Sequence, residues 1–195
     1  MIPRKIVTDI DKKKLAAHMV KDMVGEDRRL RFGYPAPDTA VEKYLEASFK
    51  GFGWDNMWFV VLDEGKVVAS CHVAYIDSQE SAEMGCTVAL SHRGTGIGQL
   101  YDRGLTWARM RGAKEVYMQC LAENKVIQHI AKKNGMSTVV LDGSEREATI
   151  DVHEQSQAVA MMKDAITEQI AIVDASVRKQ QWLFSEALKM FTRSE

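Results

Sequence analysis

The fold is decided by Val88-Ala89-Leu90-Ser91-His92-Arg93-Gly94-Thr95-Gly96-Ile97-Gly98, a glycine-rich turn near the middle of the 195-residue chain. It follows a strand-like apolar segment, Ala82 to Leu90, and precedes a helical pattern that ends at Gly112. Because glycine has no Cβ, successive backbone N–H groups can point inward, and the start of a helix adds its positive dipole end. The turn therefore predicts an anion site in which main-chain donors hold a pyrophosphate.

Spacing separates three kinds of phosphate-binding turn. A P-loop needs Gly-Lys-Ser/Thr, whereas Gly98 is followed by Gln99 and a leucine. A dinucleotide-binding turn needs a glycine where Gln99 stands, and its ribose-binding carboxylate would fall within the segment 116–120, which contains none. The pattern that remains is R-x-x-G-x-G, formed by Arg93, Gly96 and Gly98.

The segments on either side of the turn predict a mixed α/β fold with a mostly antiparallel twisted sheet flanked by helices. A short strand at 4–8 precedes two helices, one capped at Thr8 or Asp9 and running to about Val24, the other running from Asp38 to Phe49. Three antiparallel strands follow, at 58–62, 66–76 and 82–90. After the helix that ends at Gly112, we expect a strand at 115–121, a helix at 124–134, and strands at 137–141 and 148–152.

The end of the chain reads as a helical extension, because no glycine or proline follows Gly143. Residues 155–191 form one or two helices, and a single continuous helix would be roughly 55 Å long. One apolar stripe runs along it through Ile166, Ile170, Val173, Val177, Phe184, Leu188 and Phe191. The stripe either packs on the chain's own core or forms a homodimer, and we divide the chain into domains at 1–152 and 153–195.

Composition argues against several classes of function. With 26 basic and 27 acidic residues the net charge is -1, which predicts neither nucleic-acid nor membrane-surface binding. Short basic runs such as residues 28–31 are read as solvated faces. The cysteines, Cys71, Cys86 and Cys120, are interpreted as buried free thiols, and no metal-ligand spacing is present. No signal peptide or membrane span is apparent, so we expect a cytoplasmic protein.

Residues 55–136 resemble the GNAT superfamily of N-acetyltransferases. The family's coenzyme A motif, V-x-P-x-x-R-G-x-G-I-G, is matched by Val88 to Gly98, with Leu90 in place of the frequent proline. A second family signature, a strand ending in Glu-Asn and a helix closing on K-x-G-F/M, is matched by Glu123-Asn124 and by Lys133 to Met136. The segment 8–49 is more loosely similar to the N-terminal part of bacterial branches related to protein-lysine acetyltransferases.

The resemblance implies a site for acetyl-coenzyme A. The backbones of Val88 and Leu90 would bond the pantetheine arm, and Asn124 would line a cleft between splayed fourth and fifth strands. The pyrophosphate would be held by the amides of Arg93, Gly94, Thr95, Gly96, Ile97, Gly98 and Gln99. The implied activity is transfer of the acetyl group from acetyl-CoA to a primary amine, without a metal.

The sequence offers a candidate general base for the transfer but no clear general acid. An amine must be neutral to attack a thioester, and Glu83 is the candidate general base. In many relatives a tyrosine at the position of Ala131 acts as the general acid, whereas alanine has no proton to donate. His129 and Tyr101 are weaker candidates, and Cys120 is read as buried filler. The alternative function is therefore a non-catalytic sensor or scaffold that binds an acyl-CoA.

The acceptor is an amine on a small molecule or on a protein, recognised by the first two helices and their loop. Trp54 and Trp58 are interpreted as core aromatics, with an acceptor pocket as the alternative. Glu42, Glu46 and Asp55 would suit a cationic amine or form a solvated face.

Overall fold

A twisted sheet of seven strands forms the centre of the protein, in the order β1-β2-β3-β4-β5-β7-β6. The computed structural model describes residues 1–95, 98–141, 145–151 and 157–192. All neighbouring strands are antiparallel except β4 and β5, which are parallel. The last strand inserts between the two before it. The strands are β1 (Arg4–Lys5), β2 (Asn56–Asp63), β3 (Lys66–Ile76), β4 (Ser81–Val88), β5 (Glu115–Leu121), β6 (Ser137–Val140) and β7 (Glu145–Asp151).

The helices flank the sheet as the sequence predicts, with one addition near the amino terminus. They are α1 (Asp9–Ala17), α2 (Glu26–Phe32), α3 (Asp38–Phe49), α4 (Gln99–Arg111), α5 (Lys125–Lys133) and α6 (Gln157–Thr192). The expected N-cap of α1 is confirmed, since the Thr8 hydroxyl accepts from the Asp11 amide at 3.2 Å. The helix expected to reach Val24 instead changes to a π-helix at His18–Asp22 and stops there. The seven-residue α2 that follows was not predicted.

Strand β2 shows how the core is built on both faces of the sheet. Alternate side chains of a strand point to opposite faces. Phe59 therefore packs towards α4 with Leu105, while Trp58 packs towards α1 and α3 with Leu15. Burial of side chains of this size contributes about 1.5–3 kcal/mol each. Trp58 is thus the core aromatic that the sequence suggests.

Helix α6 is one continuous helix of 36 residues, and its first half is anchored to the body. Asp164, which is 3% exposed, lies 2.5 Å from the Lys5 Nζ and 3.2 Å from the Arg103 guanidinium. Glu168 also pairs with Arg103. These contacts draw in the side of the helix that carries Ala160 and Ala171, both fully buried.

Most of the apolar stripe of α6 is exposed to solvent. From Ile166 to Leu188 its members are about half or more exposed, with Val173 at 62% and Phe184 at 68%, whereas the Phe191 side chain lies outside the described part. Packing on the chain's own core, one of the two interpretations of the stripe, is therefore not what the described residues show. None of the described helices combines the length and the apolar character needed to cross a membrane.

Candidate functional site

Strands β4 and β5 begin side by side and then separate. They pair only from Ser81 with Glu115 to Glu83 with Tyr117. Beyond these residues β4 stays paired with β3, and β5 stays paired with β7. The facing edges of β4 and β5 therefore open into a cleft whose main-chain donors and acceptors are available to a ligand. The splay inferred from the family resemblance is present, and Glu83 lies at its vertex.

The glycine-rich turn leaves β4 at the open end of this cleft. A short 3-10 helix, Leu90–His92, is followed by Gly94 with φ +76°, a conformation that favours glycine. The Thr95 hydroxyl donates to the His92 carbonyl at 2.6 Å, which tightens the turn. Gly96 and Ile97 lie outside the described residues.

Helix α4 then begins at Gln99, with Gly98 as its cap residue. Within the described part of the chain no side chain caps this end. The first amides of a helix have no partner inside the helix, so they are available to an anion. The helix closes on Gly112 with φ +89°, as the sequence predicts.

The other residues expected in the donor site lie around the same opening. Val88 is the last residue of β4, and Leu90 just after it is 74% exposed. Arg93 forms an ion pair with Asp27 of α2. Asn124 follows β5, where its side-chain oxygen accepts the Ile127 amide at 3.2 Å and so caps α5.

Helix α2 spans the two sides of the opening. Through Asp27 it contacts Arg93 after β4, and through Arg29 it pairs with Glu123 after β5. Arg28, read from the sequence as part of a solvated run, is only 7% exposed. Its guanidinium donates to three main-chain carbonyls, those of Met23, Ala36 and Val20, at 2.6–3.0 Å, which fixes the start of α2.

A cavity of about 240 Å³ lies between α2, α3 and the sheet, with Glu83 in its lining. Sheet residues and the inner side of α3 form most of its wall, while α2 contributes one arginine. The lining residues are Arg31, Tyr44, Ala47, Ser48, Asn56, His72, Ala74, Glu83 and Gly85. The Glu83 side chain is exposed, so its carboxylate is accessible to a molecule entering from solvent.

A chain of hydrogen bonds crosses this cavity. Arg31 Nη2 donates to Tyr44 Oη at 2.7 Å, and Tyr44 Oη lies 2.8 Å from His72 Nδ1. His72 Nε2 is 3.0 Å from Asn56 Oδ1, an atom that can only accept. His72 therefore carries its proton on Nε2, and Nδ1 accepts the proton of Tyr44. The Asn56 amide nitrogen donates to the Lys50 carbonyl at 3.0 Å, which fixes the orientation of its side chain.

The charges in the cavity follow from burial. Burial, assisted by the positive charge of Arg31, lowers the pKa of His72 to about 3, so this ring is neutral near pH 7. Burial raises the pKa of Tyr44, which keeps its hydroxyl protonated. Besides these two residues, the lining contains one basic side chain, Arg31, and one acidic side chain, Glu83.

Several residues considered from the sequence lie elsewhere. Tyr101 is 2% exposed in the core with its hydroxyl against Met136, and Ala131 is fully buried. His129 is exposed on α5. Cys120 is buried, and burial raises the pKa of its thiol, which disfavours a nucleophilic role.

Two further expectations concern an aromatic residue and metals. Trp54 is not the core residue that the sequence suggested. It is 68% exposed and lies under the guanidinium of Arg111 at 4.1 Å. Among the residues that the structure describes, no cluster of histidine, cysteine or acidic side chains could hold a metal ion.

Arg31, Tyr44 and His72 were missed as site residues. Each comes from a different element, and no short-range pattern in the sequence links them.

Comparison with known proteins supports the same architecture. The family model described as "Acetyltransferase (GNAT) family" matches residues 21–136. The GNAT domain of S. lividans PAT is 20% identical with TM-score 0.64, over 76% of this chain and 89% of that one. A ribosomal-protein-alanine N-acetyltransferase from Brucella melitensis is 17% identical with TM-score 0.62, over 77% and 99%. A spermidine N-acetyltransferase chimera from Vibrio cholerae and hSSAT is 15% identical with TM-score 0.58, over 83% and 99%.

A comparison with curated protein sequences gave no significant match. The structural similarities, all at low identity, establish the fold. The family model covers more than half of the sequence, including the splayed strands and the glycine-rich turn. The chain therefore belongs to the GNAT family of acetyltransferases.

Proposed function

We propose that the protein is an N-acetyltransferase that moves the acetyl group of acetyl-CoA to a primary amine, with Glu83 as the general base. One observation carries this proposal. Glu83 stands at the vertex of the β4–β5 cleft and also lines the neighbouring cavity. A carboxylate in that position can accept a proton from an amine that lies in the cavity and attacks a thioester in the cleft.

The donor would bind along the cleft and over the turn. The free edge of β4 near Val88 and Leu90 offers main-chain groups to the pantetheine arm. The pyrophosphate would bind to the amides from Arg93 to Gln99, including Gly94, Thr95, Gly96, Ile97 and Gly98, at the uncapped start of α4. Asn124 lines the opposite side at the end of β5.

The donor site has a direct test in Gly96→Glu, which adds a bulky negative group to the phosphate turn. We expect loss of acetyl-CoA binding in titration calorimetry, with an unchanged circular dichroism spectrum. Ser176→Glu, on the exposed side of α6, adds the same charge far from the turn and should bind normally. Retained binding by Gly96→Glu would contradict the proposed site.

In the transfer itself, acetyl-CoA supplies an acetyl group already activated as a thioester. The Glu83 carboxylate takes the proton that the acceptor amine loses, and the nitrogen attacks the thioester carbon. The C–S bond then breaks, and the amide and the thiolate leave. Because Ala131 has no proton to give, the thiolate departs as such or is protonated by water.

Glu83→Gln tests the catalytic proposal. The amide keeps the shape of the side chain but cannot take a proton, so kcat should fall by about 10²–10⁴-fold and the acidic limb of the pH profile should flatten. Glu115→Gln, at the exposed start of β5, is the matched control. Unchanged kinetics in Glu83→Gln would remove this residue from the mechanism.

A second candidate is a sensor or scaffold that binds an acyl-CoA without catalysis. It is favoured by Ala131, which lies fully buried where many relatives carry a tyrosine, and by the core position of Tyr101. Detecting free thiol with a panel of amines separates the two functions. Binding of acetyl-CoA without thiol release from any amine would support the sensor.

The apolar stripe of α6 supports a further part of the proposal, a homodimer in which residues 1–152 form the catalytic domain and 153–195 an extension. The exposure of Val177, Phe184 and Leu188 is consistent with a partner helix. Deletion from residue 174 onwards removes most of the exposed half but keeps the ion pairs of Asp164 and Glu168. A sedimentation shift from dimer to monomer in this variant is the expected result.

A further inference from the structure

The cavity that Glu83 lines, here called the acceptor cavity, contains charged side chains that indicate which kind of amine can bind there. We propose that Arg31 binds a carboxylate of the acceptor, so that the substrate is a small amine that also carries a carboxylate, as an amino acid does. This inference rests on the proposed acetyl transfer. It adds a substrate class and a specificity-determining residue.

Arg31 is the first observation. Most arginines near it are paired with acidic groups, as Arg29 is with Glu26 and Glu123. Within the described residues, by contrast, no carboxylate lies within ion-pair distance of Arg31. Its Nη2 donates to the neutral Tyr44 hydroxyl, and its guanidinium lines the cavity. A guanidinium with free donors is matched in geometry by a carboxylate, which can accept two parallel hydrogen bonds.

The way Arg31 is held is the second observation. Its guanidinium lies 5.4 Å from the ring centroids of both Phe32 and Tyr44. It also lies over Gly85, where a Cβ would collide with it. The guanidinium therefore packs against two aromatic rings and a glycine, which hold this side chain in place at the cavity wall. Since the group is already in place, less conformational entropy is lost when a ligand binds.

The position of Glu83 is the third observation. Glu83 and Gly85 lie two residues apart on β4, about 6.6 Å along the strand, and their side-chain positions share one face of the sheet. Arg31 stands over Gly85, so the cavity presents a positive group near one end and a negative group near the other. Both side chains line the cavity, and within the described residues they are not paired with each other. An ammonium at Glu83 and a carboxylate at Arg31 would satisfy both.

The polar side chains that share the cavity with Arg31 and Glu83 are neutral. His72 is held uncharged, and the proton of Tyr44 is committed to His72, so neither adds charge to the cavity. A second positive charge on the acceptor would be repelled by Arg31 without a described carboxylate to offset it. Polyamines therefore fit the cavity less well than a zwitterion. Its volume of about 240 Å³ admits a small molecule.

The test compares matched acceptors in a thiol-release assay with acetyl-CoA. A panel of free amino acids is measured against their methyl esters and against spermidine. We expect the best free acid to have kcat/KM about 10- to 100-fold above its ester, the range for a hydrogen-bonded charge pair. Arg31→Met should raise KM for the acid by a similar factor and so abolish the preference for the acid over the ester, and Arg31→Lys should restore part of the preference.

Gly85→Ala provides a second variant that retains Arg31 but displaces its guanidinium, and it should likewise lose the preference for the acid. Thermal melting of all variants checks that they fold. Turnover of amines with equal kcat/KM for acid and ester, unaffected by Arg31→Met, would overturn the inference and leave acetyl transfer intact. Absence of thiol release with every amine would instead overturn the proposed function. Preference for spermidine or for a peptide amine would also contradict the inference.

Discussion

Mild acid should destabilise the protein through His72. Burial beside Arg31 lowers the pKa of His72 to about 3 in the folded state, whereas an unfolded chain has a histidine pKa of about 6.5. The unfolded state therefore binds more protons between these two values. The stability that comes from a neutral His72 is complete above pH ~6.5 and is lost progressively as the pH falls towards about 3.

The size of the effect follows from the unfolded value. Each pH unit below about 6.5 costs about 1.4 kcal/mol, so the free energy of unfolding should fall by about 2 kcal/mol at pH ~5. This figure hardly depends on the folded pKa as long as that value lies well below 5. Against a total stability of about 5–15 kcal/mol, such a loss is readily measured.

Urea unfolding followed by tryptophan fluorescence is the assay, because Trp58 is buried and stacked on His72 with ring centroids 4.6 Å apart. His72→Gln should remove about 2 kcal/mol of the dependence between pH ~7.5 and ~5. His129→Gln, which changes an exposed histidine on α5, should leave it intact. Burial also lowers the pKa of His18, so a slope of the same sign should remain in His72→Gln. An NMR titration in which the His72 ring of the folded protein protonates near its ordinary pKa would refute the reasoning.

Two further predictions concern the body of the fold. Asp164→Ala should lower the free energy of unfolding by about 1.5–3 kcal/mol in urea titrations, because the buried Arg103 loses one carboxylate and keeps Glu168. The same change at Asp174, in a half-exposed pair, should cost at most about 1 kcal/mol. Gly104→Val should cost about 1–3 kcal/mol in the same assay, because a Cβ there lies 2.5 Å from the Met84 sulfur and 3.1 Å from the Cys71 sulfur. An unchanged unfolding midpoint in either core variant would contradict the packing described.

The sequence predicts the central part of the fold well because the signals there are local. The apolar run before the turn, the stop at Gly112 and the pattern of α5 are each legible within a dozen residues. The cleft itself follows from the family resemblance. The acceptor cavity does not, since Arg31, Tyr44 and His72 meet only when α2, α3 and β3 assemble. Contacts between distant elements leave no periodic trace in a single sequence.

Helix α2 shows why a local interpretation fails where tertiary contacts decide. Its seven residues are too few for a stable isolated helix, and its first residue follows Gly25 without a side-chain cap. A run of arginines in such a segment is typical of a solvated surface. In the fold, however, Arg28 satisfies main-chain carbonyls, Arg29 pairs with Glu123 beyond β5, and Arg31 lies in the cavity wall.

The helix is stabilised by what its side chains bind on three sides. Asp27 completes the set by holding Arg93 of the glycine-rich turn. One short element thus contacts the proposed phosphate turn, the far side of the cleft and the acceptor cavity. Because the residues of one short helix move together, the placement of Arg31 depends on the ion pairs of Asp27 and Arg29. The specificity that we assign to Arg31 is therefore a property of the whole of α2, which is why reading the arginines one by one from the sequence could not reveal it.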